Sequence, residues 1–168
     1  MIRAIVAVDK KWGIGKNNDL LFHLSKDMKF FRSTTLEKTV VMGSNTLKSF
    51  PGGKPLPKRV NIVLYPGGEK RDDCIIVDSL DELKTELARR ENEDIFVIGG
   101  AMFYRTMLPY CEEVLVTKVN ADGEAQVFFE NLDELDGWVC ASEGEPIDDE
   151  GYEIRFTTYK NLNTQKFI

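Results

Sequence analysis

Short runs of apolar, mostly β-branched residues recur along this chain and alternate with stretches of helical spacing. Ile2-Arg3-Ala4-Ile5-Val6-Ala7-Val8 and Ile95-Phe96-Val97-Ile98 are examples. Continuous runs of this kind belong to strands buried on both faces. The pattern predicts strands at 2–8, 39–42, 60–65, 75–78, 95–98, 114–120, 138–142 and 153–159. Helices are predicted at 25–35, 44–49, 80–92 and 101–107, the third opened by Ser79 with Glu82 three residues on, a capping box. Strand–helix alternation implies βαβ units. The expected fold is therefore α/β: a mainly parallel, twisted sheet of about eight strands with flanking helices. Only a loop, 143–152, separates the last two strands, so they are expected to form a C-terminal antiparallel hairpin.

The 168 residues suffice for one domain, taken as 1–168, with 42% hydrophobic residues to fill a core. No linker, repeat or low-complexity tract divides them. A net charge of −6 without a basic run disfavours a nucleic-acid partner. No apolar stretch is long enough to span a membrane, and residues 1–8 are too short for a signal peptide, so a cytoplasmic location is expected. Cys74, Cys111 and Cys140 are widely spaced, and His23 stands alone. No metal site or nucleophile–base pair is therefore expected.

In parallel sheets ligands bind beyond the carboxyl ends of the strands. Two such junctions, Gly99-Gly100-Ala101 and Met42-Gly43-Ser44-Asn45-Thr46, place glycine before a helix start. Each lets backbone approach a phosphate closely, and two in one small domain suggest a dinucleotide. The alternative at each is a tight turn. The segment 7–22 contains Trp12-Gly13-Ile14-Gly15 and reads either as a lid or as a plain surface loop.

Asp27 lies in Leu24-Ser25-Lys26-Asp27-Met28-Lys29-Phe30-Phe31. Leu24, Met28 and Phe31 share one helical stripe, and Asp27 sits at its edge. Two readings stand here. The acid holds a flat, cationic or amidine-like ring between apolar walls, or it serves the dipole of a helix capped by Ser25. Arg59 follows the Pro- and Gly-rich stretch 50–58, where Phe50 and Leu56 are candidate cleft residues. Its fork suits a ligand carboxylate, and the alternative is simple solvation.

The assembled pattern resembles the dihydrofolate reductase family. The parts are Ile5-Val6-Ala7, Ile14-Gly15, Leu24-Ser25-Lys26-Asp27 with Phe31, Val41-Met42-Gly43 with Thr46, Pro55-Leu56-Pro57 with Arg59, Ile98-Gly99-Gly100 with Tyr104, and Thr117. Each is short; their order and spacing across nearly the whole chain are specific. The resemblance implies reduction of 7,8-dihydrofolate to 5,6,7,8-tetrahydrofolate, in support of one-carbon metabolism, by a monomeric enzyme. Hydride passes from a reduced nicotinamide cofactor to C6, and N5 takes a proton from solvent. Asp27 is implied as the catalytic acid that hydrogen-bonds the pterin, with Thr117 behind it. Backbone carbonyls of Ile5 and Ile98 meet the same ring. Met28, Phe31, Phe50 and Leu56 pack the pterin and aminobenzoyl groups, and Arg59 binds the α-carboxylate of the glutamate tail. Ala7, Ile14, Gly15, Gly43, Ser44, Asn45, Thr46, Leu64, Tyr65, Gly99, Gly100, Ala101, Met102 and Phe103 are implied at the dinucleotide, with Tyr104 near the nicotinamide. Antifolates carrying a protonated diaminopyrimidine are expected to pair with the same carboxylate.

The chain departs from the family pattern in three places. Phe22 stands where tryptophan is common, which removes an indole N–H able to hold water. Around the adenosine 2′-phosphate the matching positions are Ser44, Tyr65, Pro66 and Met102, without arginine. A weakened preference for NADPH over NADH is expected, with Lys48, Lys70 or Arg71 as candidate substitutes. Gln126 and Val127 replace an acid and a threonine in a loop that contacts the lid, so lid dynamics are expected to differ. Two rivals are the related pyrimidine reductase of riboflavin synthesis, where Asp27 paired with Arg59 is not expected, and a nucleotide-binding module without catalysis.

Overall fold

The computed structural model describes residues 1–168. Its elements in chain order are β1 (Ile2–Val8), β2 (Gly13–Gly15), α1 (Ser25–Thr35), β3 (Thr39–Gly43), α2 (Ser44–Ser49), β4 (Val60–Leu64), β5 (Ile75–Val77), α3 (Leu80–Ala88), β6 (Ile95–Val97), α4 (Ala101–Met107), β7 (Glu113–Val119), β8 (Val127–Phe128), β9 (Trp138–Glu143), β10 (Ile147–Asp149) and β11 (Tyr152–Asn161). The main sheet runs β10-β11-β7-β1-β6-β3-β4-β5, with β9 also on β11. Every pair from β7 to β5 is parallel, and β11 is antiparallel to β7. After β1 the chain skips a place to β3, winds outward to β5, and returns as β6 between β1 and β3. The carboxyl ends of β1, β6 and β3 are thus the switch point where a crevice is expected.

The strands are buried on both faces, as their composition predicts. On one face Ala4, Val6, Val41, Val97, Val114 and Val116 meet Leu83 and Leu87 of α3 and Phe103 and Met107 of α4. On the other, Ile5, Val40, Met42, Val63 and Phe96 meet Leu47 of α2, with Phe30 and Phe31 of α1 packed against them. Successive residues of β1 therefore address different layers, and Ile5 is turned to the α1 side.

Three local expectations are corrected. The final antiparallel hairpin of β9 and β11 is present as expected, but its connection is not only a loop: it contains β10, which pairs with the start of β11 (Ile147↔Ile154), while β9 pairs with the far end (Trp138↔Asn161). The two short strands share one edge. Helix α3 stops at Ala88; the apolar anchors end at Leu87, and residues beyond it close three-residue turns instead (Arg90 N–H to Leu87 O, Glu93 N–H to Arg90 O). Part of the expected lid is sheet, because β2 pairs antiparallel with β8. Three residues containing two glycines carry no alternation that would announce a strand.

Candidate active site

Helix α1 carries Asp27, Phe31 and Thr35 at four-residue spacing, so one line of the helix meets the sheet in all three turns. Asp27 is half-buried and accepts the Thr117 hydroxyl at 2.7 Å. Thr117, on β7, is 2% exposed and lies beside Ala7 of β1. Burial pushes the Asp27 carboxyl above the usual carboxylate range; the Thr117 hydrogen bond opposes this and the nearby Asp149 charge adds to it. An acid so placed is poised to hold a proton or a cationic ring.

Phe31 packs with Phe50, Leu56 and Ile98 on the cluster containing Ile5. Tyr104 is buried and its hydroxyl donates to the Ile5 carbonyl at 2.8 Å, leaving that oxygen its second lone pair. Burial and the facing Asp27 keep the Tyr104 phenol protonated at all ordinary pH. At the other end of α1, Arg59 Nε donates to Thr35 Oγ1 at 3.0 Å and Nη1 to the Pro57 carbonyl at 3.1 Å. Neither acceptor is charged. Partial burial, and then the neighbouring Arg32 charge, lower the Arg59 pKa, the signature of a guanidinium without its anion. Thr35 passes the contact on, donating to the Phe31 carbonyl at 2.8 Å. From Asp27 to Thr35 is eight residues, about 12 Å of helix. The arrangement suits a long ligand with a flat basic group at one end and a carboxylate at the other.

The expected apolar stripe of α1 is split rather than continuous. Leu24 joins Val119 and Ile154, Phe31 joins the sheet cluster, and Met28 is 53% exposed. Ser25 does not cap α1 either. The cap residue is Leu24, without a side-chain acceptor, and the Ser25 hydroxyl donates to Glu150 at 2.7 Å. The cap comes from Asp149, which accepts the N–H groups of Lys26 (3.1 Å) and Asp27 (3.0 Å).

The two glycine junctions adjoin. Gly43 N–H donates to the Gly99 carbonyl at 2.9 Å, and Gly43 pairs with Leu64 across β3 and β4. A Cβ on Gly99, at φ +134°, would stand 3.1 Å from Thr46 Oγ1. Neither α2 nor α4 has a side-chain cap, so the N–H groups of Ser44, Asn45, Ala101 and Met102 have no capping side chain. Bare backbone, a hydroxyl and two helix starts fit the phosphates of a dinucleotide. Phe103 is buried in the core beneath this junction, and Met102 is 80% exposed beside it. Ile14 is half-buried and packs on the core, and Gly15 pairs with Val127.

Around Tyr65, Lys48 Nζ lies 4.8 Å from the ring centroid and has no acidic partner. Arg71 is spent on Asp73 through two 2.8 Å bonds and on the Gly53 carbonyl. Lys70 donates to the Ile76 carbonyl at 2.7 Å and lies 3.9 Å from Glu82. Phe22 packs at a tilt against Tyr152, with 4.8 Å between ring centroids. Gln126 bonds the lid twice: its side-chain oxygen accepts Asn17 N–H, and its own N–H donates to the Gly15 carbonyl, both at 2.8 Å.

Asp9 and Asp149 were not legible as site residues. Asp9 is buried and gathers the N–H groups of Lys11, Gly13 and Gly123, tying the first part of the lid region to the loop after β7. A polar residue ending an apolar strand was its only signal. Asp149 sits in an acidic run that reads as solvated.

Comparison with known proteins agrees with this geometry. A family model described as dihydrofolate reductase matches residues 1–161. The dihydrofolate reductase of Bacillus subtilis is 33% identical over 168 residues, covering 99% of this chain and 98% of that one. That of Staphylococcus haemolyticus is 35% identical, with 96% of each covered. Among solved structures, dihydrofolate reductase from Enterococcus faecalis, complexed with NADP(H) and an RAB-propyl compound, superposes with a TM-score of 0.83 at 28% identity, covering 96% of both chains.

Proposed function

The chain belongs to the dihydrofolate reductase family, and on that premise we propose the roles of its individual residues. The protein reduces 7,8-dihydrofolate to 5,6,7,8-tetrahydrofolate with NADPH. The observation that carries the residue assignment is the pairing along α1 of a half-buried acid on Thr117 with an anion-free guanidinium on Thr35.

Asp27 binds the amino and ring N–H groups of the pterin, oriented by Thr117. The carbonyls of Ile5 and Ile98 receive the same ring's remaining donors. Because burial raises its pKa, Asp27 favours the protonated form of the acid–pterin pair, while N5 itself takes its proton from solvent. Phe31, Phe50 and Leu56 exclude water along the ligand, Met28 covers its outer side, and Arg59 takes the α-carboxylate. Gly43, Thr46, Gly99 and Gly100 with the N–H groups of Ser44, Asn45, Ala101 and Met102 hold the phosphates, while Ala7, Ile14, Gly15, Leu64, Tyr65, Phe103 and Tyr104 line the rest of the cofactor's course. Bound NADPH supplies the hydride; the protein supplies alignment and electrostatics.

The preference for NADPH over NADH rests on Lys48 alone in this reading, since Arg71 and Lys70 already have partners. It is therefore weaker than a guanidinium would give. The reading takes residues 1–168 as one domain acting as a cytoplasmic monomer without a nucleic-acid partner, and light scattering tests the oligomeric state. No helix is long and apolar enough to cross a membrane. The pyrimidine reductase is not favoured, because it gives no role to the acid–guanidinium spacing. The test is NADPH oxidation followed with and without dihydrofolate. Dihydrofolate-dependent oxidation is expected; oxidation indifferent to dihydrofolate would overturn the reading.

A further inference from the structure

The start of α1 is fastened from a strand 122 residues away in sequence. Asp149 ends β10, is 1% exposed, and spends both carboxylate oxygens on α1. Oδ1 accepts from Lys26 N–H at 3.1 Å and from the Ser25 hydroxyl at 3.3 Å, and Oδ2 accepts the N–H of Asp27 itself at 3.0 Å. The adjoining residues join the clamp: Glu150 takes Ser25, and the Lys26 ammonium donates to the Asp148 carbonyl. Ile147, also on β10, packs with Leu24 just before the helix.

We propose that Asp149 is a positioning residue for Asp27: it fixes the first turn of α1 against β10 and sets a second negative charge beside the acid. The role rests on the assignment of Asp27 given above. A side-chain cap supplied by the local sequence would have stabilised α1 equally well. A cap supplied from β10 does more, because it ties the acid's backbone to the sheet that also carries Thr117. Few other charges face Asp27. Thr117 of β7 and Tyr104 of α4 are neutral donors, Glu150 is engaged by Ser25, and Lys26 turns its charge to Asp148. Asp149 is thus the like charge that acts on Asp27, in the direction that favours its protonated form.

The test is Asp149→Asn, which keeps one acceptor oxygen and removes the charge. The pH midpoint of kcat/KM for dihydrofolate should move to lower pH, with loss of activity concentrated on the alkaline side. Ser25→Ala, which loosens the clamp and keeps the charge, should leave the midpoint in place. A purely structural Asp149 would lower Tm in both variants without moving the midpoint, and that result overturns the proposal. Should Asp149→Asn fail to fold, carboxyl NMR titration of the unmodified protein decides: the Asp27 signal should respond to ionisation of Asp149, and independence of the two refutes the role. Failure of the Asp27 assignment is distinguishable, because Asp27→Asn would then retain full activity whatever Asp149 does.

Discussion

Replacing Arg59 by glutamine separates recognition of the substrate's tail from recognition of its ring. Arg59 has five N–H donors; one goes to Thr35 and one to Pro57, so three remain. No carboxylate of the chain competes for them, and the two neutral acceptors hold the fork in place. Glutamine removes the charge and the fork. The hydroxyl of Thr35 keeps its bond to Phe31, so α1 should not be disturbed. A charge-assisted hydrogen bond contributes about 1.5–3 kcal/mol. For a half-buried pair that range is a fair value for the whole contact, equivalent to about 10- to 150-fold in affinity. The assay compares steady-state kinetics on dihydrofolate and on an analogue truncated before the glutamate. Dihydrofolate should lose that factor mainly through KM, because the tail contact is made equally in ground and transition states. The truncated analogue should be unaffected. An equal loss on both substrates would refute the assignment, as would no loss on dihydrofolate.

Thr117→Val removes the hydroxyl that stabilises ionised Asp27. Its loss raises the Asp27 pKa further, so the activity profile should move to higher pH, opposite to Asp149→Asn; a downward shift contradicts the account. The same variant should lose stability relative to the parent as pH rises through the Asp27 titration, since the ionised form is then the penalised one. Lys48→Gln should lower kcat/KM with NADPH about tenfold, the equivalent of about 1.4 kcal/mol, and leave NADH nearly unchanged. Equal effects on the two cofactors would show that Lys48 does not meet the 2′-phosphate. Asp9→Asn leaves a buried N–H facing an amide N–H₂ where three donors converged. Urea unfolding should report a loss of about 2–3 kcal/mol, and a loss below about 0.5 kcal/mol would show that the donors find other partners.

What the sequence disclosed and what it hid follow from range. The buried parallel strands were legible because burial on both faces leaves apolar runs such as 95–98, whatever the partners. The two glycine junctions were legible because strand, glycine and helix start are consecutive. That Gly43 donates to Gly99 was not, since nothing local reports that β3 and β6 are neighbours. Asp27 and Arg59 were picked out by position and chemistry, yet the bridge through Thr35 needs two segments 24 residues apart in sequence. The Ser25 cap, one of the two readings open to the local sequence, fails for the same reason. Local rules favour the nearest hydroxyl, whereas Asp149 arrives by the β10–β11 turn. Phe30 shows the same: its sheet-side partner, Phe156, at 4.6 Å between ring centroids, comes from the last strand.

The most direct measurement is turnover of dihydrofolate by Asp27→Asn across pH, beside circular dichroism of the same variant. The amide can still accept from Thr117 but cannot carry the charge or the proton. Native circular dichroism is expected, with turnover at neutral pH reduced by about a hundredfold or more and partly restored in acid, where the substrate arrives protonated. A folded variant that turns over as fast as the parent at neutral pH would contradict the account.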